Sequence, residues 1–223
     1  MGGLEVEQMS NERYPGYDVL SKRHTPSWNE QTRRAINRRL AVPDGPRFFT
    51  AAEWQTLEAL CGRIMPQPRD RPPVPLPAYV DEKLRIGRED GYRLASMPRQ
   101  GEAWKRGLAA LDEEAKAAHG GRRFHQISPA EQDALLHLAQ RGELSGPAWR
   151  GMPSKSFFQN RVVHDILNAY YAHPTAWNEI GWGGPASPRG YVRMGFDRRD
   201  PWEAAEARPG QEAKALRENK RVG

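Results

Sequence analysis

Residues 48–66 read Phe48-Phe49-Thr50-Ala51-Ala52-Glu53-Trp54-Gln55-Thr56-Leu57-Glu58-Ala59-Leu60-Cys61-Gly62-Arg63-Ile64-Met65-Pro66. Thr50 and Glu53 have capping-box spacing, in which the hydroxyl and the carboxylate each satisfy a free backbone N–H at the start of a helix. Phe49 precedes the cap and can close on Trp54 as a hydrophobic staple. Trp54, Leu57, Leu60, Cys61 and Ile64 then recur at helical spacing until Pro66 stops the run. One amphipathic helix with both of its ends written into the sequence sets the expectation for its surroundings.

The same grammar recurs downstream. Six prolines between Pro66 and Pro77 prescribe an extended connector. A second helix is expected from Pro77 to Gly87, and a longer one from Pro98, with Trp104, Leu108, Leu111 and Ala115 on one face and Gly120-Gly121 at its end. Ser128-Pro129-Ala130-Glu131 repeats the capping box before Leu135, Leu136, Leu138 and Ala139. From Ser154 onward, Phe157, Phe158, Val162, Val163, Ile166, Leu167, Tyr170 and Tyr171 recur in pairs, a wide stripe suited to a central helix. Only Tyr191-Val192-Arg193-Met194 reads as extended.

These elements predict an all-α fold: an irregular multi-helix domain over residues 47–196 with a Pro-rich connector and polar extensions at both ends. The N-terminal arm, residues 1–46, carries one expected helix from Trp28 to Leu40, with Ser27 and Glu30 at capping-box spacing. The Tyr, Trp and Arg content from Tyr14 to Leu40 predicts a segment that orders along a partner. Residues 197–223, rich in Arg, Glu, Ala, Lys and Gln, read as a solvated tail or a frayed helix.

Composition excludes several functions. The net charge is +6 across 223 residues, but the basic residues interleave with acids, as in Arg85-Ile86-Gly87-Arg88-Glu89-Asp90, and form no block that would track nucleic acid. Arginine supplies 27 of the 34 cations, which suits bidentate pairing with carboxylates at an interface. The single cysteine, Cys61, permits no internal disulfide and no thiolate metal site. No apolar run is long enough for a transmembrane helix or a signal-peptide core. The twin arginines Arg33-Arg34 and Arg38-Arg39 lack the apolar stretch that an export signal needs. The expected location is therefore the cytoplasm, or the periplasm if export uses another route.

Catalytic motifs are absent. Gly181-x-Gly183-x-x-Ala186 has the letters of a dinucleotide fingerprint, but a helix precedes it and Pro185 and Pro188 follow. His164-Asp165 pairs an imidazole with a carboxylate, yet adjacent helical residues point about 100° apart, so the expected role of His164 is a satisfied histidine at the core edge. Glu113-Glu114 and Glu89-Asp90 read as solvated surface. No catalytic, cofactor or metal site is expected.

The segment from Tyr170 to Met194 is different in kind. It gathers Tyr170, Tyr171, Trp177, Trp182 and Tyr191 around Gly181, Gly183 and Gly184, with Arg189 among them. Trp, Tyr and Arg are enriched at interface anchors, and glycine permits close backbone approach. Two readings are open: a docking edge made of Tyr170, Tyr171, Trp177, Trp182, Gly183, Gly184, Arg189 and Tyr191, or a tight loop whose aromatics fold back onto the domain's own core.

The opening helix from Phe48 to Pro66, the Phe157-Phe158 helix with its Tyr170-Tyr171 end, and the Trp177 to Gly184 segment together resemble the gluconate 2-dehydrogenase subunit 3 family, over roughly residues 47–194. Its members are small subunits of membrane-associated flavoprotein dehydrogenases. The resemblance implies a non-catalytic accessory subunit that binds and stabilises an FAD-dependent large subunit of the glucose-methanol-choline oxidoreductase type, with a cytochrome c as the usual third member. Family members commonly carry a twin-arginine export signal, and here the hydrophilic stretch from Tyr14 to Leu40 stands in its place. An alternative from another class is a stand-alone enzyme or ligand-binding protein using His164, His173 and the aromatic Gly-rich loop.

Overall fold

The structure, a computed structural model, describes residues 13–69, 71–195 and 197–222. Among these residues helices form and strands do not, so the fold is all-α. The helices are α1 (Glu30–Leu40), α2 (Ala51–Ile64), α3 (Leu76–Arg85), α4 (Gln100–Ala118), α5 (Pro129–Arg141), α6 (Ser154–Phe157), α7 (His164–Tyr171), α8 (Pro174–Ile180) and α9 (Glu212–Asn219). None is long and apolar enough to cross a membrane.

Contacts divide the chain into a central unit, residues 42–170, and a terminal unit built from residues 13–41 and 171–222. The boundaries read from the sequence, at 46 and 196, fall elsewhere, because polarity marked the two ends as extensions while their few apolar residues meet each other. Tyr17, Val19, Trp28 and Ile36 from the N-terminal side form one buried cluster with Trp177 and Val222. The described part of the expected arm in this unit, residues 13–41, thus packs on its own chain, while residues 1–12 of that arm lie outside the described residues. The expected tail carries α9, whose Asn219 is buried, accepts from the Ala205 amide at 2.6 Å and donates to the Pro15 and Ala205 carbonyls at 3.0 and 2.9 Å.

In the central unit the capped starts appear where the sequence places them. Thr50 caps α2 and Ser128 caps α5, each in a complete capping box with the glutamate three residues on. Phe49 meets Phe48 and Trp104 edge-on, with ring centroids 5.0 and 6.4 Å apart. The entry into α2 is held by a residue the sequence does not flag. Buried Asp81 of α3 accepts the amides of Arg47, Phe48 and Phe49 at 2.9–3.2 Å, which gives three otherwise orphaned donors a charged acceptor.

α6 runs through a π-helical segment, Phe158–Val163, into α7. The extra residue in the π segment turns the stripe, so Phe157, Val162, Ile166, Ala169 and Tyr170 are buried while Tyr171 is not. Phe157 lies against Gly107 of α4, where a Cβ would stand 2.1 Å from the ring. In the terminal unit α1 starts two residues later than expected: Asn29, rather than Ser27, is the cap and accepts the Thr32 amide at 2.9 Å. Ser27 is buried.

Candidate functional site

The aromatic Gly-rich segment of the terminal unit has two faces. Its inner face is Trp177, buried, with the indole N–H donating to the Tyr171 carbonyl at 2.7 Å and the Arg39 guanidinium 5.6 Å from its ring. Gly181 ends α8 in the left-handed region at φ 65°, and a Cβ there would stand 2.4 Å from the Tyr14 ring. Gly184, also left-handed at φ 69° and buried, would place a Cβ 2.9 Å from Val19 and 3.5 Å from Trp28. These glycines make room for the chain's own N-terminal residues.

The outer face is apolar and exposed. Trp182, 38% exposed, stands edge-on to Trp177 at 4.8 Å, and Tyr171, Ile180, Tyr191, Val192 and Met194 are exposed around the same segment. Of the eight residues singled out in the sequence, Tyr171, Trp182 and Tyr191 face outward, and Gly183 and Arg189 are half-buried. Trp177 and Gly184 belong to the interior of the terminal unit, and Tyr170 to that of the central unit, where its hydroxyl accepts from Arg71 at 3.1 Å. His173 is the cap of α8, its Nδ1 accepting the Thr175 amide at 3.2 Å.

Beneath this segment lies a buried amine that no sequence pattern singles out. The Lys22 ammonium donates to the Tyr17 hydroxyl at 3.2 Å and the Gly183 carbonyl at 3.0 Å and has no carboxylate partner among the described residues. Burial, with the Arg189 charge adding to it, lowers its pKa to about 8. Burial likewise raises the Tyr17 phenol. The only available signal was Lys22 lying two residues from the apolar pair Val19-Leu20, which is too weak to separate it from any surface lysine.

A second cluster sits inside the central unit. The Asp165 carboxylate, with no exposed side-chain surface, accepts from Lys83 at 2.9 Å, the Trp104 indole at 2.7 Å and the Gln100 amide at 3.1 Å. Asp90 accepts from Lys83 at 2.6 Å, Arg161 at 2.8 Å and Gln100 at 3.1 Å. Burial works against charge on Asp90, but hydrogen bonds from Lys83 and Arg161 together outweigh it and hold the carboxyl below its ordinary range. Asp90 stays at the surface, as the sequence predicts, but its carboxylate is tied through Lys83 and Arg161 to the buried Asp165. His164 also departs from expectation: its Nδ1 lies 3.1 Å from Asp165, because the tips of two adjacent side chains reach across the angle that separates their faces. The readable signal was Asp165 at helical spacing from Val162 and Ala169, a carboxylate on a buried stripe.

Ligating atoms of Asp90, His164 and Asp165 all lie within 4.8 Å of one another, as in a metal site. Lys83 and Arg161 already neutralise both carboxylates there, so a divalent cation would have to displace two charge-assisted pairs. The arrangement suits a structural pin better than a metal centre.

A family model described as gluconate 2-dehydrogenase subunit 3 matches residues 51–184, more than half of the chain. The chain belongs to the gluconate 2-dehydrogenase subunit 3 family. The family name makes it one subunit of a dehydrogenase, with a dehydrogenase partner. No curated protein and no solved structure matched the chain. The matched stretch covers most of the central unit and, in the terminal unit, α8 and its glycine loop. It stops short of α9, and α1 lies outside it.

Proposed function

We propose that this subunit is the non-catalytic accessory member of the complex, binding and stabilising an FAD-dependent oxidoreductase of the glucose-methanol-choline type, with a cytochrome c as third member. The family match over residues 51–184 carries this reading. The exposed apolar face of the terminal unit supports it: Tyr171, Trp182, Tyr191, Val192 and Met194 expose large apolar or aromatic side chains on one short segment, and such patches on soluble proteins mark contact surfaces. Trp182 is the proposed anchor, since its neighbour Trp177 fixes one edge and leaves a broad surface for a partner. The docking edge is thus the outer face alone.

Co-purification of the tagged full chain from its native cell tests the proposal. A companion identified by mass spectrometry as a flavoprotein dehydrogenase, present in fixed ratio and carrying the flavin absorbance, is the expected result. A chain that turns over a substrate unaided, or whose companions carry no flavin, rejects it.

A further inference from the structure

Beside the Gly-rich segment, the terminal unit holds a cavity of about 780 Å³. Its lining contains four acids, and three are already engaged: Glu203 by Arg193 at 3.1 Å, Glu218 by Arg199 at 3.0 Å and Glu206 by Arg13 at 2.7 Å. Asp197 remains, against Arg189, Arg198, Arg208 and Lys214, none of which has a carboxylate partner among the described residues. The imbalance extends beneath the surface. The Arg189 guanidinium lies 4.3 Å over the Trp202 ring, and its Nε is buried with no hydrogen-bond acceptor. Behind Gly183, which also lines the cavity, stands the Lys22 ammonium, fully buried and held only by neutral oxygens.

Burying a cation without an anion is costly, and here two neighbouring cations go without one. We propose that this cavity is a binding site for a multivalent oxyanion, a polycarboxylate or phosphate ester, held between Arg189 and the unpaired Arg198, Arg208 and Lys214. The oxyanion groups come either from a free small molecule or from clustered carboxylates on the flavoprotein partner. The second source rests on the docking surface proposed above, because Trp182 and Tyr191 border the same cavity; the anion site itself does not.

The mutual repulsion of Lys22 and Arg189 gives the site a signature. Lys22 is faced by Tyr17, by Arg189 and, at longer range, by Glu203. An anion beside Arg189 relieves the repulsion and restores the proton to Lys22, so binding near pH 8 is accompanied by proton uptake.

Calorimetric titration of the full chain with citrate and with inorganic pyrophosphate, against sodium chloride at matched ionic strength, tests this. Saturable binding of either probe is expected, weakened at least tenfold by Arg189→Gln and unaffected by Arg88→Gln, a charge change in the central unit. Repeating the titration in buffers of different ionisation enthalpy should show proton uptake that Lys22→Met abolishes. No saturable heat, or equal affinity in Arg189→Gln with its melting temperature intact, overturns the proposal. If the variant is misfolded, Arg198→Gln and Arg208→Gln replace it under the same criterion. On the purified complex, displacement of the flavoprotein by citrate assigns the oxyanions to the partner, and citrate binding without displacement assigns them to a free ligand. If no flavoprotein co-purifies, the accessory-subunit reading falls while the titration still decides the anion site.

Discussion

The central and terminal units bury their charges in opposite ways. In the central unit, Asp165 and Asp90 are surrounded by Lys83, Arg161, Gln100 and Trp104, and buried Asp81 is met by three backbone amides, so each of these carboxylates has its donors. In the terminal unit, Lys22 is buried against a hydroxyl and a carbonyl, next to an arginine. The first arrangement is a closed network that stabilises a fold. The second leaves a positive potential unspent, which is what a binding surface has and a structural core avoids.

Breaking the closed network has the largest expected effect. Asp165→Ala removes the acceptor for Lys83, Gln100 and Trp104 and strands a half-buried cation; the expected loss is about 3–5 kcal/mol of unfolding free energy by urea denaturation. A loss below about 1 kcal/mol would mean that water already compensates the site and that the contrast between the units is false. Gly107→Ala comes next. Alanine is the better helix former, yet its Cβ would meet the Phe157 ring at 2.1 Å, so the variant should be less stable by about 1–3 kcal/mol. An unchanged or raised melting temperature would show that α6 moves freely on α4.

Trp182→Ala sharpens the comparison from the other side. A ring that anchors a partner should cost about 2 kcal/mol of association, roughly thirty-fold in affinity, with a small change in the chain's own melting temperature. Full affinity together with a collapsed melting temperature would return Trp182 to the interior. The smallest effect concerns pH. The folded pKa of Lys22 is about 8 and its ordinary value 10.5, so between those values the unfolded chain holds a proton that the folded chain has released, and stability rises with pH. Burial raises Tyr17 above its ordinary 10.0, so beyond pH 10 the unfolded phenol ionises first and stability falls. Burial also raises the Cys61 thiol above its ordinary 9.0, so its earlier ionisation in the unfolded chain offsets the Lys22 rise from about pH 9; the melting temperature should therefore rise from about pH 8, level off between about pH 9 and 10 and fall beyond, and Lys22→Met should flatten the rising limb. A rise that persists in the variant would place its origin elsewhere.

What the sequence revealed follows the distance over which each feature is determined. The caps at Thr50 and Ser128 are settled within four residues, and both helices begin where those residues predict. At α1 the same logic misplaced the start, because Asn29 offers an equally good oxygen two residues after Ser27. The Asp81 acceptor, 32 residues from the Phe49 amide, leaves no local trace. The terminal unit lies beyond this reach altogether, since Tyr17 and Trp177 share a cluster across most of the chain. The aromatic segment was legible as unusual, and its glycines as points of close approach, but not which neighbour approaches. At Gly181 and Gly184 that neighbour is the chain's own beginning.

The family stretch, residues 51–184, ends within the terminal unit and omits the residues that complete it. Shared ancestry and the unit of folding therefore have different borders in this chain. A fragment cut at the borders of ancestry would keep Trp177 and the glycine loop but discard Tyr17, Val19, Trp28, Ile36 and Val222, the other members of their buried cluster. Such a fragment would expose its own interior, and its stickiness in an expression trial or an interaction screen would be an artefact of the cut.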